Sequence, residues 1–439
     1  PAALPDGLAL RAALEKLVAS DRVLDRPIDR IAFASDASFY RLVPKAVVLA
    51  ASADEVASLF RLARETKVPV TLRAAGTSLS GQAVTDGILV EVARHFRAVK
   101  VEEGGRRFRA QPGVIGASVN AVLRPYGAKM GPDPASINAC TLGGILANNS
   151  SGMCCGVAQN AYHTLESLTF VLPSGTRIDT AAPDADTRFR EAEPALWQGL
   201  LELKARIEGN AALAARIRSK YRMKNTTGYS LNAFLDFERP VEVFRNLLVG
   251  SEGTLAFIAE AVLSTVPDLP VKYTGLLLFP SMHAACAAIV PLRDSGAKAL
   301  ELLDRASLRS VESQPGIPPS IRTLPDGAAA LLVEYQAGDE AERAALEAVA
   351  GASFRARAEC RAFRSLFVSW PVSIETGQAV AQRPSTAQVS TAAYGNSASS
   401  AARSGAFVPS ASSRVISRRR TIRCRGVSVS SRLGHFGSQ

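Results

Sequence analysis

The sequence predicts a mixed α+β protein, with a two-part α+β domain, a shorter and incomplete α+β domain behind it, and an irregular basic tail. Three observations predict it. Residues 44–74 read as strand, helix, strand, the order of a crossover unit. Glycine-centred hairpins follow over 98–113 and 168–180, and at Lys272 the strand and helix pattern starts afresh.

Taken in order, residues 1–38 form an N-terminal helical segment, with an amphipathic helix over 7–20. PKAVVLA (44–50) is a buried strand, and the helix after it is capped by Ser52 and turns Val56, Leu59, Phe60 and Ala63 to one face. VPVTLRA (68–74) is the next strand and ends in RAAGTSLSGQ. Loops at strand C-termini are where such sheets bind ligands. GILVEVA (87–93), AVKVEE (98–103) and RRFRAQPG (106–113) read as strands, the last two joined through Gly104 and Gly105. A helix in VIGASVNAVLRPYG leads into 131–156, a stretch almost without bulky side chains. LTFVLPSGTRIDT is the second hairpin, helices cover 194–217, and LLVGSEGTLAFIAEAVLSTVP closes the first domain at 268. A partial second domain runs over 269–358.

Hydrophobic residues make up 47% and charged residues 21% of 439 residues, a globular composition. The longest apolar runs, 46–51 and 275–279, are far below the roughly 20 residues of a membrane span. Asp6 and Glu15 stand where a secretory signal needs basic and then apolar residues, so cytoplasm is the expected address. The six cysteines include no C-x-x-C pair and read as reduced thiols.

The net charge of +11 is local. Residues 376–439 hold nine arginines, fourteen serines and no Lys, Asp or Glu, which leaves 1–375 with a charge of only +2. Such a composition from 359 onward reads as a GC-rich gene translated out of frame, or as a disordered tail, in preference to an arginine-rich arm for nucleic acid. No specific nucleic-acid partner is expected.

Three loops carry the chemistry. In the first, Ala74, Ala75, Gly76, Thr77 and Ser78 offer consecutive backbone N–H groups and two hydroxyls to an anion. Its spacing fits neither G-x-G-x-x-G nor G-x-x-x-x-G-K-[ST], which disfavours a Rossmann domain or a P-loop NTPase. An ordinary turn is the plain alternative. In the second, GPDPASINACTLGGILANNSSGMCCG (131–156), Gly143 and Gly144 lack the Cβ atoms that would hold a bulky cofactor away, and Asn148, Asn149, Ser150 and Ser151 supply neutral hydrogen-bonding groups. In the third, GSEGTLAFI (250–258), two glycines bracket Glu252 ahead of an apolar strand.

In this order the three loops resemble the PCMH-type FAD-binding domain of the vanillyl-alcohol oxidase and p-cresol methylhydroxylase superfamily, closest to its D-lactate dehydrogenase and glycolate oxidase branch. KNTTGY (224–229) and LELLD (300–304) are similar to that branch's linker and cap landmarks. The resemblance implies an FAD-binding domain over 39–268 made of two subdomains. It implies FAD contacts from Arg73, Ala74, Ala75, Gly76, Thr77, Ser78, Leu79, Gly81 and Gln82 in the first loop. In the second loop they come from Pro132, Ala135, Ser136, Ile137, Cys140, Thr141, Gly143, Gly144, Asn148, Asn149, Ser150, Ser151 and Gly152, and in the third from Glu252, Gly253, Thr254 and Ile258. Thr77 and Ser78 stand where covalent members place a histidine, which implies non-covalent FAD.

The resemblance further implies oxidation of a 2-hydroxy acid of the D-lactate or glycolate type, with electrons passed to a separate acceptor or iron–sulfur protein. NNSSGMCCG is similar to the form fused to an iron–sulfur module, yet this sequence has no such cysteine cluster, and Cys154 and Cys155 read as small packing residues. The family's metal-binding GH-x-x-G-N-x-H segment and its carboxylate-binding arginine have no counterpart, so no metal site and no catalytic residue is assigned and turnover is expected to be impaired. Among the four histidines only His163 falls near the flavin loops, and packing is its plainer role. A flavin oxidase for another alcohol, and a non-catalytic flavin-binding protein with a basic tail, are the alternatives.

Overall fold

The computed structural model describes residues 7–355 except 227, 316 and 318; the irregular tail, with Cys360, Cys424 and His435, lies outside the described residues. The first sheet contains β1 (Val23–Leu24), β2 (Ala46–Leu49), β3 (Val70–Arg73) and β4 (Ile88–Glu91) in the order β1-β2-β4-β3. The crossover through helix Ala53–Thr66 therefore skips a position: β4 inserts between β2 and β3 and runs parallel to both, pairing Ile88 with Ala46 and with Val70. Every residue of β2 and β4 is buried, as a sheet covered on both faces requires. One face packs Val48, Ile88 and Val90 against Val56 and Leu59 of that helix and Leu10 and Leu14 of the N-terminal helix. That helix stops at Glu15, short of the expected residue 20, although Val18 extends its buried stripe.

Ser52 caps the crossover helix as its sequence predicts: its Oγ accepts from Glu55 N at 3.2 Å. Glu55 in turn accepts from Ala51 N at 2.8 Å and takes both guanidinium arms of Arg22, which ties the helix start to the N-terminal segment.

The second sheet is antiparallel, with β5 (Val99–Glu102), β6 (Arg107–Ala110), β7 (Ala128–Met130), β8 (Leu165–Val171), β9 (Arg177–Asp179) and β10 (Phe257–Pro267). The long β10 is its centre, paired to β6, β7 and β8. Phe108, Phe170, Phe189 and Phe244 fill the core under helices Ala185–Ala192 and Pro240–Leu247. The stretch 131–156 is not all loop. Leu142, Ile145 and Leu146, at i, i+3 and i+4, anchor helix Leu142–Asn148 in that core.

The third sheet, β11 (Val271–Phe279), β12 (Ala299–Leu303) and β13 (Ala329–Ala337), has the order β11-β13-β12, antiparallel throughout. Helices Met282–Asp294 and Glu340–Arg355 belong to one face, where Leu277, Leu331 and Val333 are buried. The opposite face carries Leu278, Ala330 and Leu308 of helix Arg305–Val311. No helix among the described residues is long and apolar enough to cross a membrane.

Candidate functional site

The first loop leaves the C-terminal end of β3. Its shape is set from below by Arg73, whose Nη1 donates to Phe33 O at 3.1 Å and whose guanidinium lies 5.6 Å from the Phe33 ring centre. Burial pulls the Arg73 pKa down. Gly76 turns above it at φ +67°, where a Cβ would lie 2.7 Å from Arg73 Nη2. Ala37 N donates to Gly76 O at 3.0 Å, and Gly81 lies against the Tyr40 ring. Ser78 Oγ donates to Gln82 Oε1. Ala74, Ala75 and Thr77 are half-buried, while Leu79 points to solvent.

The second loop faces the first. A Cβ on Gly144 would touch only Ala74 Cβ, at 3.9 Å, so the two loops come within about a methyl group of contact there. Gly143 has a different reason from the one its sequence suggests: a Cβ there would lie 2.5 Å from Pro112 Cβ, so the position is needed for packing within the chain. The hydroxyls of Thr141 and Ser151 are buried without any partner among the described residues. Folding does not leave buried hydroxyls orphaned without a reason. Pro132 and Cys140 are buried, Ile137 is half-buried beside Gly116, and Ala135 and Ser136 are exposed. Asp133, which the sequence reading passed over, organises the far end: its carboxylate accepts from Gly152 N and Cys154 N at 3.0 Å and from Cys155 N at 3.2 Å.

The third loop and the KNTTGY segment close on the second. Glu252 N donates to Ala147 O at 2.8 Å and Gly250 N to Leu146 O at 3.0 Å. Asn148 Nδ2 donates to Glu252 Oε1 at 2.6 Å, and Ser150 Oγ donates to Asn148 Oδ1 at 2.8 Å. Burial raises the Glu252 pKa, and the bond from Asn148 pulls it back. Lys224 Nζ donates to Gly152 O at 3.0 Å, Asn149 Nδ2 to Asn225 O at 3.4 Å, and Tyr229 OH lies 2.8 Å from Thr254 Oγ1. Gly253 turns beside them at φ +72°. Ile258 stands apart from the other expected residues, because its side chain is buried in the core of the second sheet.

A small polar recess of about 10 Å³, room for about one water, opens beside Asn149, lined also by Asn160, Tyr162, His163, Tyr221, Asn225, Ser230 and Asn232. Tyr162 OH donates to Asp236 Oδ2 at 2.7 Å, and Asn232 Nδ2 donates to the same oxygen at 2.8 Å. Burial and Asp236 together push the Tyr162 phenol far up, so it stays protonated. On another side, Cys154 Sγ lies 3.9 Å from Glu334 Oε1 and 3.5 Å from Gln336 Nε2, joining the second loop to β13 of the third sheet. Burial pushes the Cys154 thiol up to about 12 and Cys155 up to about 11, which makes both poor nucleophiles at neutral pH. All four described cysteines are free thiols. Among the described residues no cluster of three or more His, Cys, Asp or Glu could hold a metal.

The close approach of Gly144 to Ala74, and the buried, unpaired hydroxyls of Thr141 and Ser151 among the described residues, leave polar groups on the second loop that a phosphate-bearing ligand would satisfy. Residues 44–181 match the FAD binding domain family and residues 269–365 the C-terminal domain of FAD linked oxidases, so the chain carries both of these domains. Its similar relatives include the D-2-hydroxyglutarate dehydrogenase of Pantoea ananatis, 30% identical over 285 residues that cover 63% of this chain and 28% of that protein. Another is the glycolate oxidase subunit GlcD of Escherichia coli K12, 27% identical over 317 residues, 71% of this chain and 53% of that one. The chain thus spans about a quarter of the dehydrogenase and about half of the oxidase subunit. Among solved structures, p-cresol methylhydroxylase with substrate bound shares the fold at TM-score 0.56 and 12% identity, covering 81% of this chain and 66% of that one. Alkyldihydroxyacetonephosphate synthase shares it at TM-score 0.54 and 18% identity, over 80% and 61%.

Proposed function

We propose that the chain oxidises a 2-hydroxy acid of the D-lactate, glycolate or D-2-hydroxyglutarate class to its 2-oxo acid. The observation that supports this reading is the meeting of the first, second and third loops and the KNTTGY segment, with the buried hydroxyls of Thr141 and Ser151 left without a partner among the described residues. Ala74 to Ser78, Thr141, Gly144 and Ser151 hold the dinucleotide, and Asn148 to Ser150 and Glu252 to Thr254 supply neutral contacts beyond it. Bound FAD would supply the two-electron acceptor that this oxidation needs. The binding is non-covalent, since a threonine and a serine occupy the first-loop positions.

In this reading 39–268 is the flavin domain and 269–358 part of the cap. The two relatives supply the substrate class, as their names specify D-2-hydroxyglutarate and glycolate. Electrons leave for a separate acceptor or iron–sulfur protein, in the cytoplasm. Turnover is slow, because the change of composition after 359 falls where the cap would continue. Anaerobic mixing with D-lactate, glycolate and D-2-hydroxyglutarate is expected to bleach the flavin with at least one of them. Bleaching by a simple alcohol alone would move the activity to another alcohol, and no bleaching by any compound would overturn the reading.

A further inference from the structure

We propose that residues 33–40, which lie upstream of the matched domain at 44–181, are a strap that positions the first loop and turns the Thr77 main-chain N–H toward the phosphates of FAD. This rests on the reading above that the first loop holds the dinucleotide. The strap follows the loop from its base to its end. Arg73 Nη1, beneath the loop, donates to Phe33 O at 3.1 Å, and Ala37 N donates to Gly76 O at 3.0 Å. The Tyr40 ring lies against Gly81, and Asp36 Oδ2 accepts from Ala83 N at 3.4 Å. Asp36 also holds the strap's own turn, because its Oδ1 accepts from Ser38 N at 2.8 Å and from Ser38 Oγ, the pattern that Asp favours in turns. Its charge is offset by the Arg73 guanidinium under the loop.

The bond from Ala37 decides which way the loop's donors face. A peptide unit is planar and trans, so its C=O and N–H point to opposite sides. Gly76 O and Thr77 N belong to one such unit. With Gly76 O held by the strap, Thr77 N–H points away from the strap, and Gly76 at φ +67° lets the chain turn there without a clash. Thr77 and Ser78 are half-buried, yet among the described residues no group of the chain accepts from either main-chain N–H. Half-buried N–H groups normally find an acceptor, and successive ones left free on one side of a turn suit an anion. The strap thus occupies the carbonyl side of the loop and leaves its donor side to the ligand.

Ala37→Pro tests this, because it removes the N–H that Gly76 O accepts while proline is well tolerated after the Asp of a turn. FAD is titrated by the quenching of its fluorescence, and amide hydrogen exchange at Thr77 is followed by NMR of the threonine-labelled chain with and without FAD. In the parent chain bound FAD is expected to slow exchange at Thr77. Ala37→Pro is expected to bind FAD about tenfold more weakly and to lose that slowing even when saturated, while Ala37→Ser, which keeps the N–H, matches the parent in both. Should Ala37→Pro not fold, Asp36→Asn takes its place with the same expectation, since it leaves one acceptor oxygen for Ser38 and Ala83 together. A parent chain that binds FAD without slowing Thr77, or a folded variant that matches the parent, overturns the strap's role while flavin binding stands. A folded parent chain that binds no FAD overturns the reading of the first loop and this inference together.

Discussion

Glu252 shows how a single residue couples the loops to pH. It sits at φ +54°, a conformation that usually favours glycine, with its carboxyl half-buried against Asn148. Burial raises its pKa in the folded chain, so above the ordinary carboxylate range the folded state holds a proton that the unfolded chain has released. Stability from this group is therefore lost as pH rises through that window. Glu252→Gln removes the titration. The gap in urea midpoint between the variant and the parent chain is expected to shift in the variant's favour from about pH 4.5 upward; parallel profiles would show that the ionised carboxylate carries no penalty.

At the scale of elements, the tight turn after Asn149 is the most exacting piece of the site. A Cβ on Gly152 would lie 1.8 Å from Asp133 O, an overlap with main chain that no side-chain motion relieves. Gly152→Ala is expected to cost about 1–3 kcal/mol in chemical denaturation and to weaken FAD retention, because Asp133 would release the backbone it gathers. Equal stability and equal flavin content would show that the turn is not under this constraint. Much of the architecture around it was legible in the chain: the cap at Ser52, the hairpins at Gly104 and Gly175, and the restart at Lys272 are all local signals. What was not legible depends on contacts between distant segments. The insertion of β4 between β2 and β3 leaves no local trace, and the helix Leu142–Asn148 hides its three apolar residues among glycines and asparagines. Asp133 could have been found, since an acidic residue between two prolines ahead of a glycine-rich turn is a natural acceptor for backbone N–H groups. The packing reason for Gly143 could not, because Pro112 is distant in the chain.

For the molecule as a whole, the first two sheets bring the first and second loops close together at Ala74 and Gly144, where we propose that FAD binds. Gly144 faces Ala74 of the first loop, so Gly144→Leu is expected to fold, retain the helix Leu142–Asn148, and lose flavin. The most direct measurement is the absorbance spectrum of the purified chain from about 300 to 550 nm, with added FAD where needed, before and after denaturation. FAD binding between these loops predicts a flavin double band in the parent chain, its release into the protein-free supernatant on denaturation, and its absence from Gly144→Leu. A folded parent chain that stays colourless in excess FAD would contradict it.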